Sequence, residues 1–516
     1  MSVVAVNPIL SGFYPDPSIC AVGDDFYIVN SSFAYFPGLP IMHSKDLAHW
    51  EQIGNALDRN SQLPLEDTGV SRGLFAPTMR YHDGKYYIIC TNVTFGGNFI
   101  VTADDPKGPW SEPHYIEGAE GIDPSLFFDD DGKVYYTGTH PNPNGCQYDG
   151  DWYIYNQEID IENFKLIGEP VDVWNGAMKG VHWPEGPHLY KINDYYYILH
   201  AEGGTGPEHA VSVARSKSVF GPFEGNFKNP IFTHRHLGNK YPIKYVGHAD
   251  MFMTPVGDWY MVMLAVRPIK GKTTMGRETF MARVIWEEDW PVVNPNLGIL
   301  SNELIIDLPE YIPNCDERLT PLSDKHYEFG QMDKLPFSFI TLRNPEDDWY
   351  KFGPNGLDIK CRKEKPVYIA LRQDAHCFEA VTVLKTDSLY DGAKAGLVLF
   401  QDTKYNLRLE FAGCTGSVIL TQDGEEEKIT SLLVAEDSVT LFISVKGLMA
   451  SLFIGTGNKV EALVKNLDIS ALSTEVAGGF VGCTVGMYAF DTEEREEPAY
   501  ACFKSFSYRP VLGNKK

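Results

Sequence analysis

The sequence is short of positive charge. Lys and Arg number 44 against 69 Asp and Glu, a formal net charge of -25 across 516 residues. So acidic a chain repels phosphate backbones and anionic membranes, which excludes nucleic acid and polyanionic substrates and leaves a neutral ligand such as a sugar unaffected. Long apolar runs are missing too: nothing approaches the roughly 18 consecutive apolar residues of a membrane span. No long helical period is evident. The nine cysteines are scattered, odd in number and without a CxxC pair, the pattern of free thiols in a reducing compartment. The opening Met1-Ser2-Val3-Val4-Ala5-Val6-Asn7-Pro8 has no basic n-region or apolar h-region. For the chain as given, the expected location is the cytoplasm.

Turn residues and aromatics are plentiful. Gly (47) and Pro (33) separate short apolar runs, and aromatics reach 13%. That mixture predicts many short strands joined by turns. The length predicts two to four domains.

Five segments repeat one pattern. They start at Asp16-Pro17-Ser18, Ala76-Pro77-Thr78, Asp123-Pro124-Ser125, Glu185-Gly186-Pro187 and Ala249-Asp250-Met251. From each first residue to an aligned Tyr (Tyr27, Tyr87, Tyr135, Tyr196, Tyr260) the offset is 11, 11, 12, 11 and 11. Between the two apolar runs sits a turn: Gly23-Asp24, Asp83-Gly84, Asp131-Gly132, Asn193-Asp194 or Gly257-Asp258. This is a hairpin signature. The starts lie 60, 47, 62 and 64 residues apart, room for two further strands in each unit. Five four-stranded units predict an all-β fold: a five-bladed β-propeller over residues 1–300, with the first strand of each blade on the axis. A large sandwich with coincidental hairpins is the alternative. Residues 301–325 carry Pro309, Pro313 and Pro321 and read as a linker packed on the propeller. From 326 to 516 short alternating runs return without the propeller offsets, which predicts a β-sandwich.

The first positions of the repeats ring one end of the axis. Three are acidic: Asp16, Asp123 and Glu185. Each could cap local backbone. Converging, they would repel one another and cost stability unless something uses them. Carboxyls in unlike environments suit glycoside hydrolysis, one ionised and one protonated. Glu185 lies in the apolar Val181-His182-Trp183-Pro184-Glu185-Gly186-Pro187, which favours its protonated form, and prolines flank Asp16.

Phe13-Tyr14-Pro15-Asp16-Pro17-Ser18, Gly121-Ile122-Asp123-Pro124-Ser125 and Trp183-Pro184-Glu185-Gly186-Pro187 resemble the three signature segments of glycoside hydrolase family 43. The family includes β-xylosidases and α-L-arabinofuranosidases. The likeness continues through Gly247-His248-Ala249-Asp250, Gly276-Arg277-Glu278 and Trp286-Glu287-Glu288-Asp289-Trp290-Pro291. In the second domain, Gly396-Leu397-Val398-Leu399-Phe400-Gln401-Asp402 resembles the lectin-like, concanavalin-type sandwich of longer β-xylosidase-type members. The resemblance implies an inverting exo-glycosidase. Asp16 would be its general base, Glu185 its general acid, and Asp123 the carboxylate that orients the acid and raises its pKa. It implies a structural calcium ion on the axis, held by His248; a packed, hydrogen-bonded histidine is the other reading. Arg277 would contact sugar hydroxyls, or else pair with Glu278 or another propeller acid. Phe33 would form an aromatic wall. Phe75 stands where many relatives have Trp, which bears on sugar preference. Phe480 would reach into the pocket, with core packing as the equal alternative. Trp183, Thr205, His182, His209 and Arg215 would also line it.

The expected partners are xylo- or arabino-oligosaccharides, and a homo-oligomer stays open. Release of xylose leads because of the two-domain length, with α-L-arabinofuranosidase action close behind. A fructan-cleaving enzyme would carry Arg-Asp-Pro and Glu-Cys segments where this chain has Ile122-Asp123-Pro124 and Pro184-Glu185-Gly186. A sugar-binding propeller without catalysis would need no matched acid and base.

Overall fold

The computed structural model of the protein describes residues 2–178, 180–307, 323–346, 348–363, 366–457, 459–494, 496–497 and 499–511. The chain divides into two compact units. The first holds residues 1–10, 14–267 and 277–320. Its frame is five four-stranded antiparallel sheets in chain order.

Blade 1 is Ser18–Val22, Asp25–Val29, Gly38–Ser44 and Glu51–Leu57, and blade 2 is Thr78–His82, Lys85–Asn92, Gly97–Ala103 and His114–Tyr115. Blade 3 is Ser125–Phe128, Val134–Pro141, Trp152–Asp160 and Lys165–Trp174. Blade 4 is Glu185–Ile192, Tyr195–Glu202, Ala210–Ser216 and Glu224–Gly225. Blade 5 is Lys244–Met253, Trp259–Val266, Glu278–Glu287 and Trp290–Val293. The first strands touch one another in sequence around the ring, blade 5 returning to blade 1. This is the five-bladed β-propeller read from the repeat.

The repeat and the strands are not in perfect step. In blades 1 to 3 the inner strand starts two residues after the repeat's first residue. In blade 5 it starts at Lys244, five residues before Ala249, and register shifts interrupt it on both sides of Gly247. Those shifts re-aim the chain at His248.

The ring closes through the N-terminal segment. Ser2–Val6 pairs antiparallel with Glu303–Asp307. The Asn7 side chain donates to Met281 O at 2.8 Å and to Ser301 O at 2.9 Å, and accepts from Met281 N–H at 2.9 Å. Residues 303–307 of the expected linker are thus a strand of the first unit, while 308–322 fall outside the described residues.

Below the repeat starts, the axis is filled by charge. Asp250 Oδ2 stands 2.9 Å from Arg80 Nη1 and accepts from Ser18 Oγ at 2.7 Å. Tyr190 O–H donates to Asp250 Oδ1 at 2.6 Å. Arg80 Nη2 meets His188 Nδ1 at 3.0 Å. The inner strands of blades 1, 2, 4 and 5 therefore share one buried network, which satisfies an aspartate with no exposed surface.

The second unit holds residues 321–516 together with 11–13 and 268–276. Its body is a sandwich of an eight-stranded and a six-stranded sheet. Cys377–Lys385 and Ser438–Lys446 alternate buried with half-buried residues, the period-2 pattern of strands with one face on a core. That core includes Leu397, Leu399, Leu407, Leu409, Val485 and Met487. The two inserted segments are bonded into the unit: Arg372 Nε donates to Phe13 O at 3.1 Å, and Cys483 N–H to Thr274 O at 2.7 Å. One α-helix, Thr474–Ala477, occurs among the described residues, and none is long and apolar enough to cross a membrane.

Candidate active site

Asp16 sits just before the inner strand of blade 1. Its backbone is left-handed, φ 51°, as is that of Asp123 at φ 55°. Asp tolerates this region better than bulkier residues, but it is still sparsely populated and is held here by surroundings. For Asp16 the surroundings are explicit. Tyr14 N–H donates to Arg277 O at 3.1 Å, while Asn30 Nδ2 donates to Pro15 O at 2.9 Å.

Asp16 is 5% exposed. Ser31 Oγ donates to its Oδ2 at 2.6 Å and Arg277 Nη1 to its Oδ1 at 2.8 Å. His248 Nδ1 lies 3.9 Å from Oδ1. Burial alone would raise the pKa. Arg277, then His248 and the Ser31 hydroxyl, outweigh it and leave Asp16 below its ordinary value.

The other two acids go the opposite way. Burial first, then the charge of Asp16, pushes Glu185 up to about 7. Asp123 is raised well above its ordinary value by burial, then by the charges of Glu185 and Asp16, against the opposing charge of Arg277 and a backbone hydrogen bond from Ala76. One ring of carboxyls thus holds an ionised member and two that favour their protons. Like-charge repulsion between Glu185 and Asp123 is mutual, and together with the charge of Asp16 it disfavours ionising both at once.

Around these acids stand the expected lining residues of the first unit. Arg277 Nη1 also donates to Thr205 Oγ1 at 3.3 Å. The guanidinium carbon lies 5.7 Å from the Phe33 ring centroid, and Phe33 meets Phe75 edge-on at 5.8 Å. Phe33 is buried, whereas Phe75, Thr205, Trp183 and Arg277 are partly exposed. Aromatic faces beside hydrogen-bonding groups are what a sugar ring requires.

His248 is buried, and burial lowers its pKa and favours the neutral ring. Among the described residues no group of three or more His, Cys, Asp or Glu is arranged to hold a metal ion. Calcium takes six to eight oxygen ligands. An ion beside this imidazole would draw its shell from water and backbone carbonyls.

Comparison with known proteins decides what this arrangement belongs to. Residues 5–291 match glycosyl hydrolases family 43, and residues 326–509 match the beta xylosidase C-terminal concanavalin A-like domain. The chain belongs to glycosyl hydrolase family 43. It is 50% identical over 506 residues to a xylosidase/arabinosidase of Butyrivibrio fibrisolvens, covering 94% of this chain and 96% of that one. It is 37% identical over 504 residues to a non-reducing end alpha-L-arabinofuranosidase of Bacteroides ovatus, covering 94% and 90%. The crystal structure of a xylan beta-1,4-xylosidase from Bacillus halodurans superposes with a TM-score of 0.88 at 32% identity, covering 98% and 100%.

Within this glycoside hydrolase the remaining expected residues fall in different places. His209 is buried beside the site: its Nδ1 lies 2.9 Å from Tyr245 O, and its charge environment includes His248, Arg277 and Asp16. His182 is exposed and its Nδ1 meets Asp149 O. Arg215 is a correction. Its guanidinium stacks over Tyr195 and Trp290 and its Nε stands 2.9 Å from Glu224 Oε1 on the outermost strand of blade 4, so it braces the blade instead of lining the ring. Phe480 is half-buried in the second unit, just after Thr474–Ala477. Ser31 is the functional neighbour that sequence reading missed. One serine beside a second, in Ser31-Ser32, carries no sign of where its hydroxyl points.

Proposed function

We propose that the protein is an exo-acting, inverting glycosidase that releases xylose from the non-reducing end of short β-1,4-xylo-oligosaccharides. The observation that carries this reading is the split in protonation: Asp16 held ionised by Arg277 and Ser31, Glu185 held protonated up to about 7. Asp16 takes a proton from water as that water attacks the anomeric carbon. Glu185 gives its proton to the departing glycosidic oxygen. Asp123 keeps the acid oriented. Arg277 and Thr205 hold sugar hydroxyls, with Phe33, Phe75 and Trp183 as apolar wall.

A structural calcium ion beside His248 is part of the family expectation, and no step here passes through it. The cytoplasm, where imported oligosaccharides would be met, is the proposed compartment.

Release of α-L-arabinofuranose is the second reading. The Bacteroides ovatus relative's name favours it, and Phe75, a smaller wall than Trp, leaves the sugar preference open.

Paired assays on p-nitrophenyl β-D-xylopyranoside and α-L-arabinofuranoside test the sugar. Faster turnover of the xyloside is expected, and turnover of the arabinoside alone would reverse the order. Glu185→Gln and Asp16→Asn should each cost about 10²–10⁴-fold on xylobiose. The aryl substrate should partly rescue the first variant and not the second, because only the acid's task becomes easier.

A further inference from the structure

The chain on both sides of Glu185 is left-handed: φ is 45° at Trp183 and 56° at Gly186. Pro184 between them has its φ fixed by the ring. A positive φ at a residue as bulky as Trp persists only where surroundings impose it.

Two glycines leave room for the indole that this backbone presents. A Cβ at Gly150 would fall 2.9 Å from Trp183 Cδ2 and Cε2, and one at Gly204 would fall 2.9 Å from Cε3 and 3.0 Å from Cζ3. Either methyl group would collide with the indole. Gly150 lies in the loop between the second and third strands of blade 3, Gly204 in the equivalent loop of blade 4. The backbone is pinned at the same place: Trp183 N–H donates to Gly150 O at 2.8 Å, and Gly203 N–H to His182 O at 2.8 Å. On the far side of the acid, a Cβ at Gly186 would fall 2.8 Å from His248 Cε1. The inner strand of blade 4 is irregular here, with a register shift between Glu185 and His188, so the sheet ladder alone does not set the glutamate's direction.

We propose that Gly150 and Gly204 are positioning residues for proton donation: by seating the Trp183 indole, with His248 against Gly186, they fix where the Glu185 carboxyl points. This rests on Glu185 being the general acid. Trp183 then supports the acid as well as walling the pocket. Misplacement by about 1 Å can cost on the order of 10²-fold in rate, and the loss falls on the step that needs the proton.

The test is a leaving-group series of aryl xylosides, plus xylobiose, on the wild type, Gly150→Ala, Gly204→Ala, Trp183→Phe and Glu185→Gln. Gly145→Ala is the control, because it lies in the loop of Gly150, its backbone is left-handed like that of Gly150 and Gly204, and a Cβ there would meet nothing within 4 Å. Both glycine variants should lose kcat on poor leaving groups by on the order of 10–10²-fold and much less on the best one, with KM little changed. Their dependence on leaving-group pKa should steepen toward that of Glu185→Gln. Adding Trp183→Phe to Gly204→Ala removes the ring atoms that collide and should restore part of the loss. Should an added methyl prevent folding, Trp183→Phe alone, which only removes atoms, should still steepen the series. A loss equal across all leaving groups, or none, overturns the clamp. If Glu185→Gln is steep and the glycine variants are not, the clamp alone falls. If Glu185→Gln shows no leaving-group dependence, the acid assignment falls and the clamp with it.

Discussion

Arg277 Nη1 stands 2.8 Å from Asp16 Oδ1 and 3.3 Å from Thr205 Oγ1, so one guanidinium joins the first repeat's carboxylate to a loop of blade 4. The ion-pair reading of Arg277 is met at Asp16, with Nη1 2.8 Å from Oδ1 and Nη2 3.4 Å from Oδ2, and the side chain remains partly exposed, so a sugar contact stays compatible with it. Arg277→Met should let burial raise the Asp16 pKa, moving the acidic limb of the rate profile upward. A hydrogen bond to a charged group is worth about 1.5–3 kcal/mol, roughly 10–100-fold in kcat/KM. Steady-state kinetics from pH 3 to 9 check both effects.

The wild-type pH profile should be a bell. In the proposed roles Glu185 acts protonated, so rate should fall as pH rises through about 7. Asp16 acts ionised, so the acidic limb should lie below its ordinary 3.8. Stability follows opposite signs at the two residues. Glu185 is raised in the folded state, so its contribution is full below 4.5 and is lost as pH rises through about 7. Asp16 is lowered, so its contribution is present above 3.8 and is lost as pH falls through the folded value. Calorimetry should therefore show the wild-type Tm dropping between pH 5 and 8 by more than that of Glu185→Gln.

The Arg80–Asp250 pair should be a stability element. Asp250 has no exposed surface, and Arg80 reaches it from blade 2. Arg80→Met leaves the carboxylate buried without its cation and should cost about 3–5 kcal/mol in urea unfolding. Arg80→Met with Asp250→Leu should recover most of that, since replacing both charges is far cheaper than stranding one.

The propeller was legible because its hairpins recur at near-constant offsets, and a fixed offset places equivalent residues at equivalent depth. That is why Asp16, Asp123 and Glu185 share one electrostatic environment despite lying up to 169 residues apart in the chain. Asp250 was read only as the partner of Ala249 in the last repeat. Its network depends on Arg80 and Tyr190, whose positions on other blades no local pattern encodes. The left-handed turns at Asp16, Asp123 and Trp183 were also hidden, since left-handed backbone is announced by glycine and these residues are not glycine. Arg215 was misjudged for a related reason: a strand residue's face depends on register, and the register put it over Tyr195 and Trp290.

The central claim, that Asp16 activates water opposite a protonated Glu185, is tested most directly by the configuration of the first-formed sugar. Early proton NMR of the wild type hydrolysing a β-xyloside should show the α-anomer of xylose first, with the β-anomer appearing only by mutarotation. The β-anomer first would mean retention, would recast Asp16 as a nucleophile, and would contradict the account.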